Sequence, residues 1–326
     1  MKHIITGGAG FIGSHLVETL LKNKSNKIII IDNFSTGNID NLKNLKKKIH
    51  IIKVDISKKG KWMNVLKTAD YVYHLAALAD IVPSIENPEK YFQSNVTGTL
   101  NIILGCIGSK KLKKLIYSAS SSCYGLPKSF PTSENSKIDN QYPYATTKYL
   151  GEKLVLDFCN IYKIPYFSLR LFNVYGTRSR TTGTYGAVFG VFLAQKLAGK
   201  PFTIVGDGNQ TRDFTYVSDV VEAIILASLS KEKNLILNIG SGKSVSINKL
   251  VSLLGGTTVK IPKRPGEPDC TWGDISLAKK KLKWKPKITL EKGIEILLSN
   301  ISYWKKAPIW NPRSIKKATK TWFKYL

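Results

Sequence analysis

The first half of the chain alternates short β-branched runs with amphipathic stretches, and few folds accept that pattern. Strands are expected at Lys2–Thr6, Lys27–Asp32, His50–Asp55, Tyr71–Leu75, Lys113–Ser118 and Tyr166–Leu171. Helical segments fall between them, among them Phe11–Lys22, Ser84–Cys106 and Tyr144–Tyr162. Strand–helix–strand alternation builds a parallel sheet with helices on both faces. After about Leu171 the pattern loosens, with more glycine and long loops expected around "GTRSRTTGTYG" (176–186) and "PKRPGEPDCTWGD" (262–274). Loops over a rigid scaffold are where ligands are usually held. The aromatic, basic tail "WKKAPIWNPRSIKKATKTWFKYL" (304–326) is expected to dock on the body.

Bulk properties narrow the function classes. A chain of 326 residues builds one large domain or two ordinary ones. No apolar run is long enough to span a bilayer, so no membrane insertion is expected. The N-terminus enters a strand at once, which leaves no room for a signal peptide. Cys106, Cys123, Cys159 and Cys270 show neither a CxxC pair nor metal-ligand spacing. They read as reduced thiols of a cytoplasmic protein, with no metal. The net charge of +28 would suit a nucleic-acid partner. Against that, the lysines are scattered in short groups such as Lys46–Lys48, Lys110–Lys114 and Lys279–Lys283, with no basic tail. Solvated lysine-rich faces are the plainer reading, and nucleic acid is not expected as a partner.

"TGGAGFIG" sets Gly7, Gly10 and Gly13 between the first strand and the first helix. Glycines there let the backbone turn tightly and approach a pyrophosphate, which then sits at the helix N-terminus. Asp32 ends the second strand nineteen residues beyond Gly13. An acid at that place accepts from ribose hydroxyls and repels a 2′-phosphate, which selects NAD over NADP. Asn33 follows it, where an NADP reader would more often carry a basic residue. Asp55, ending the third strand, is placed to cap the adenine side. A purely structural turn is the alternative.

"SASSSCYG" (118–125) crowds hydroxyls at the end of a buried strand, with no carboxylate among them. It is either a solvated loop or a wall that holds a substrate oxygen. Downstream, "YPYATTK" places Tyr144 and Lys148 four apart, on one helical face. A free tyrosine is too weak a base at neutral pH. A neighbouring ammonium favours the phenolate and brings it toward the working range.

In this order the motifs resemble the extended short-chain dehydrogenase/reductase superfamily, and within it the nucleotide-sugar 4-epimerases. "TGGAGFIG", "DNFSTG", "HLAA", "NVTGTLN", "SSSCYG", "YPYATTK", "LRLFNVYG", "TRDFTYVSD" and "NIGSG" carry the resemblance over nearly the whole length. It implies an α/β fold: a doubly wound parallel sheet forming a Rossmann-type NAD domain, with a smaller C-terminal substrate domain. The NAD domain would span 1–172 with returning segments near 211–240, and 173–326 would mainly bind the sugar nucleotide. NAD would contact Gly7, Gly10, Phe11, Ile12, Gly13, Asp32 and Asn33, then Asp55 and Ile56. Leu75, Ala76 and Ala77 of "HLAA" and Asn95 of "NVTGTLN" would complete its site with Tyr144 and Lys148. The family usually dimerises by pairing two helices per subunit, here Ser84–Cys106 and Tyr144–Tyr162.

The resemblance also assigns roles. Tyr144 would take the proton of the sugar 4-hydroxyl, Lys148 would hold the nicotinamide ribose, and Ser120 would bond the reacting oxygen. Ser121 and Ser122 would face the sugar. Arg212 and Arg264 match arginines that clamp the diphosphate of the nucleotide sugar, Glu267 an acid on its ribose, and Asn173 a residue near that diphosphate. Thr271 takes a position where a bulky Tyr accompanies plain hexoses and a small residue accompanies N-acetylated ones. The Thr271 hydroxyl is expected to be free for an amide. Ala79 departs from glucose/galactose-type members that carry Lys there.

Within the superfamily the alternatives are a sugar-nucleotide 4,6-dehydratase and a uronate decarboxylase or epimerase. Dehydratases place an acid just after the catalytic Ser or Thr, and decarboxylases usually have Glu nearby. Ser121 and Ser122 stand there instead, and Asn173 stands where uronate epimerases often show Thr. A nucleotide-sensing or RNA-binding relative is the non-enzyme alternative, against which the Ser120–Tyr144–Lys148 set argues.

Overall fold

Isoleucine dominates the first strands because both of their faces are covered. In the computed structural model, which describes residues 1–180 and 186–326, they lie in one seven-stranded sheet. The strands are β1 (Lys2–Thr6), β2 (Lys27–Ile31), β3 (Ile49–Ile52), β4 (Tyr71–His74), β5 (Lys114–Ser120), β6 (Tyr166–Leu171) and a later strand, Leu235–Ile239. Their spatial order is Leu235–Ile239, β6, β5, β4, β1, β2, β3, and every pairing is parallel. Alternation along the strands divides the core in two. Ile5, Ile28 and Ile30 point into one cluster, Ile4, Ile29 and Ile31 into the other. Helix α1 (Phe11–Leu20) covers the first face through Leu16, Val17 and Leu20. Helices α4 (Gly98–Cys106) and α5 (Pro143–Ile161) cover the second through Ile102, Ile103, Val155 and Cys159. The strand order reverses between β1 and β4, and such a switch point opens a crevice at the carboxyl ends of the strands.

Several element boundaries differ from expectation, most by one or two residues, and three of the differences have a plain physical reason. The third strand stops at Ile52 rather than Asp55, because its neighbour β2 ends at the paired residue Ile31. The fifth runs on to Ser120, because β6 still offers Leu171 as a partner there. The single helix expected at Ser84–Cys106 is broken into α2 (Ile81–Glu86), α3 (Pro88–Phe92), a π-helical turn (Gln93–Thr97) and α4. The break falls at Asn87, whose φ of −137° and ψ of 60° are non-helical. Pro88 follows it, and proline excludes its predecessor from the helical region.

Beyond β6 the chain forms small sheets: Phe202–Val205 pairs in parallel with Thr258–Ile261, and Thr211–Arg212 antiparallel with Val245–Ser246. Of the loop expected at 176–186, residues 181–185 lie outside the described residues. The tail docks as expected, with Trp304, Ile315 and Trp322 buried. Among the described residues no helix is long and apolar enough to cross a membrane. All four cysteines are free thiols, three of them buried.

Candidate active site

The crevice at the switch point is lined on one side by the β1–α1 turn. Gly7 has φ +70°, and a Cβ on it would stand 2.7 Å from the Ala76 amide nitrogen. A Cβ on Gly13 would stand 2.2 Å from the Gly7 carbonyl oxygen. Side chains are therefore excluded from this turn, which is closed by Gly10 N–H donating to the Gly7 oxygen at 3.0 Å. Phe11 and Ile12 line the cleft beside it. Asp32 is buried at the end of β2 and accepts from the amides of Ala9 (3.0 Å) and Phe34 (2.8 Å). Burial raises its pKa, and those two bonds oppose the rise. Asn33 accepts from the Ser35 amide, shaping the turn beyond.

Asp55 lines the cleft from a loop, its Oδ1 held by the Ser57 amide (2.9 Å) and hydroxyl (2.8 Å). Asn101, which sequence reasoning passed over, fixes that loop. Its buried amide donates to the carbonyls of Ile56 (2.8 Å) and Ser57 (3.0 Å). The available signal was a second Asn in "NVTGTLN". Leu75, Ala76 and Ala77 line the cleft.

Asn95 is buried beneath the loop that follows β4. Its side chain accepts from the Leu78 amide (2.8 Å) and donates to the Leu78 carbonyl (3.0 Å) and the Thr147 hydroxyl (3.1 Å). It buttresses the loop after β4 from behind. His74 secures the same loop. Thr99 donates to the Asn95 carbonyl, so it accepts from His74 Nε2, and Nδ1 then accepts from Thr6, which itself accepts from Ala76 N–H. One tautomer satisfies the whole chain, and burial holds this imidazole neutral, its pKa lowered to about 3.

At the centre stand Ser120, Tyr144 and Lys148. The Tyr144 hydroxyl donates to Ser120 Oγ at 3.2 Å, and Ser120 Oγ lies 2.7 Å from Ser122 Oγ. Ser120 ends β5 and its oxygen caps the short turn Ser121–Tyr124, which fixes its direction. Burial raises the Tyr144 pKa, the Ser120 bond opposes this, and the Asp80 carboxylate adds to the rise. Lys148 is buried, its pKa lowered to about 7 by burial against the pull of Glu152. Its ammonium lies 4.5 Å from the centroid of the Tyr117 ring. Burial is the leading influence on both groups, and the Tyr144 pKa is raised where a lowering by Lys148 was expected.

Helix α5 delivers this pair accurately because it is clamped from below. Glu152, one turn past Lys148, receives Arg170 of β6 on both oxygens at 2.6–3.1 Å and the Ser168 hydroxyl at 2.9 Å. Arg170 also donates to the Tyr124 hydroxyl (2.9 Å), which donates to Asn238 (2.7 Å). A buried pair with every donor used adds geometric definition even where its net energy is small.

The opposite wall is made of side chains that hold one another. Glu267 accepts from Arg212 at 2.9 Å and from Arg264 at 2.7 and 3.0 Å. Arg264 also stacks over Trp322, 4.9 Å from its centroid, and Trp322 Nε1 donates to the Pro265 carbonyl at 2.7 Å. Trp322 of the tail was not singled out in the sequence, although its place in an aromatic, basic tail was the available hint. Thr271 and Asn173 both line the cleft, along with Ser121 and Ser122. Thr271 Oγ1 donates to Asn173 Oδ1 (2.8 Å) and accepts from the Asp213 amide (3.1 Å). The hydroxyl expected to be free for a substrate amide already has two partners, and one acceptor lone pair is left to it. Among the described residues, no group of three or more His, Cys, Asp or Glu could hold a metal ion.

Known proteins share this fold and much of the sequence. Residues 4–297 match the family model described as GDP-mannose 4,6 dehydratase. A putative UDP-glucose 4-epimerase of Methanocaldococcus jannaschii is 38% identical over 300 residues, covering 90% of this chain and 95% of that protein. The Bacillus cereus UDP-glucuronic acid 4-epimerase, solved with UDP-glucuronic acid and NAD, superposes with a TM-score of 0.86 at 34% identity, over 94% of this chain and 99% of that one. A UDP-N-acetylglucosamine 4-epimerase of Methanobrevibacter ruminantium, in complex with UDP-N-acetylmuramic acid, gives 0.85 at 35% identity, over 92% and 98%. With a family model matched over most of its length, the chain belongs to the extended short-chain dehydrogenases/reductases, where its relatives include UDP-sugar 4-epimerases.

Proposed function

We propose that the protein is an NAD-dependent epimerase that inverts C4 of a UDP-hexose or UDP-N-acetylhexosamine through a transient 4-keto sugar. The observation that carries this reading is the Tyr144–Ser120 hydrogen bond on a wall of hydroxyls without a carboxylate. NAD fits the residues present: Gly7 and Gly13 let the turn pack tightly against backbone where any Cβ would clash, and Asp32 stands at the cleft to meet a free 2′-hydroxyl. The pyrophosphate would lie on the Gly7–Gly13 turn at the α1 N-terminus, the adenine side against Asp55 and Ile56. When bound, NAD supplies the acceptor for the hydrogen leaving C4 and returns it to the other face.

The remaining work belongs to the protein. Tyr144, as phenolate, takes the 4-hydroxyl proton and later gives it back, while Ser120 holds the reacting oxygen at the same spot. Lys148, when charged, favours the phenolate and donates to ribose hydroxyls. Arg212 and Arg264 suit the diphosphate, since a guanidinium offers two parallel donors, and Glu267 passes to the uridine ribose as they turn outward. Anchoring at the diphosphate lets the keto sugar swing between faces.

A dehydratase or decarboxylase needs an acid beside the catalytic serine, and Ser121 and Ser122 occupy that place. Asp80 is the lining carboxylate that influences Tyr144, and it is ion-paired with Arg180. Incubation with UDP-glucose, UDP-galactose and their N-acetyl counterparts, followed by NMR at C4, tests the proposal. Interconversion with no net NADH is expected, and denatured protein should release NAD. A product lighter by one water would move the chain to the dehydratases, and recovered NADP would overturn the role of Asp32. Replacing Thr271 by Tyr should reduce turnover of the N-acetylhexosamine more than that of the plain hexose. Equal losses would remove its role as a gate. The reading extends to a cytoplasmic homodimer, with an NAD-binding part over 1–172 and a sugar-nucleotide part over most of 173–326. Exposed Phe92 and Leu150 on adjacent helices support the dimer, and sedimentation at micromolar concentration checks it.

A further inference from the structure

Asp80 and Arg180 meet across the cleft at its reacting end. Asp80 follows the loop at the exit of β4, and Arg180 comes from the other lip, beyond the short strand Val174–Tyr175. Both line the cleft, and Arg180 Nη1 donates to Asp80 Oδ2 in an ion pair. Asp80 precedes the first residue of α2, where an aspartate ordinarily accepts from first-turn amides. It makes no such cap bond. Its own amide donates to the Tyr91 hydroxyl at 3.1 Å, which fixes the backbone while the carboxylate faces Arg180. The pair lines the same cleft as Ser120 and Tyr144, and the Asp80 charge adds to the rise of the Tyr144 pKa that burial causes.

We infer that Asp80 is a built-in carboxylate that occupies Arg180 and turns away sugars bearing their own carboxylate at C6, so that the cleft selects neutral hexoses over uronates. This rests on the epimerase reading above and adds a selecting device to it. The relatives act on both classes, since one is named for UDP-glucuronic acid and another for UDP-N-acetylglucosamine. A uronate entering here would meet the like charge of Asp80 and find the Arg180 guanidinium already paired. Selectivity built on such a repulsive element needs no added contact to the favoured substrate. Without Asp80, Arg180 is released to donate to a substrate carboxylate.

The test compares wild type with Asp80→Asn, Asp80→Ala and Asp80→Ala/Arg180→Ala on UDP-glucose and UDP-glucuronate. Both kcat/KM for C4 inversion and calorimetric Kd are read. Asp80→Ala should shift the uronate-to-hexose ratio toward uronate by about tenfold or more, the scale of one charge-assisted hydrogen bond. Asp80→Asn, which keeps the shape, should shift it in the same direction, and the double variant should keep only the smaller part of the gain that comes from relieved repulsion. An unchanged ratio in both single variants, a gain undiminished without Arg180, or equal wild-type affinity for the two sugars would each overturn the inference. Should no variant invert C4 of either sugar, the epimerase reading falls, and the Kd ratios still decide the role of Asp80.

Discussion

The two walls of the cleft are made in different ways. The cofactor side is defined by backbone: a turn where Cβ atoms cannot fit, strand ends held in register, and loops pinned by buried amides such as Asn95 and Asn101. The substrate side is defined by side chains that hold one another, with Glu267 between two arginines, Arg264 over Trp322 and Thr271 on Asn173. A backbone site has one shape and tolerates no bulk. A side-chain site can exchange its internal partners for those of a ligand, which suits a product and substrate that must turn over within it.

Tyr144 stands where the two walls meet, and its replacement should give the largest effect. Tyr144→Phe removes the proposed proton acceptor and keeps the ring, so turnover should fall by at least about 10²–10⁴-fold, the usual reach of general acid–base help. NAD content and melting temperature should stay near wild type. Full activity in the variant would sever the link between the walls and remove the mechanism.

Next come single changes aimed at each wall. Gly13→Ala sets a methyl 2.2 Å from the Gly7 oxygen, so the turn must move. Loss of copurifying NAD is expected, with roughly 1–3 kcal/mol of destabilisation from overpacking. Trp322→Ala should leave NAD content intact and raise KM for the nucleotide sugar roughly three- to tenfold, the scale of a lost cation–π support for Arg264. A kcat effect without a KM effect would mean that Trp322 does not act through the diphosphate arginine. If Gly13→Ala were as mild as Trp322→Ala, the contrast between a backbone wall and a side-chain wall would fail.

That contrast also explains what was legible in the sequence. Glycine spacing, the acid after the second strand and the Tyr144–Lys148 pair are local patterns, and local patterns survive reading one residue at a time. The broken helix before α4 was legible in principle at Pro88. The Asn95 motif was legible, but the bonds of its amide to the Leu78 backbone were not. Trp322 and the Asp80–Arg180 pair depend on contacts between residues 57 or more positions apart, and no spacing rule announces those. The burial that lifts Tyr144 and lowers Lys148 is likewise a property of the assembled cleft.

The pH dependence of stability at Lys148 is the smallest effect and the finest test of the comparison. The Lys148 ammonium is buried with Glu152 as the opposing influence, and its pKa is lowered to about 7. In the unfolded chain a lysine titrates near 10.4. Between about pH 7 and that value the unfolded state therefore holds a proton that the native state lacks. Stability then rises with pH through that window, and the full penalty of burying the charge is felt below about pH 7. Lys148→Met keeps the length and apolar stem without the charge. Turnover should be lost, yet the melting temperature at pH 6 should rise by roughly a few degrees, and the gain should fade as pH approaches about 10. On the other wall, Arg212 is paired with Glu267, so Arg212→Met should bring no such gain. Thermal melts of the three proteins from pH 6 to 10 make the comparison. A pH-independent difference between Lys148→Met and wild type would show that Lys148 keeps an ordinary pKa in the folded protein. A stabilised Arg212→Met would show that the substrate wall carries the same kind of penalty.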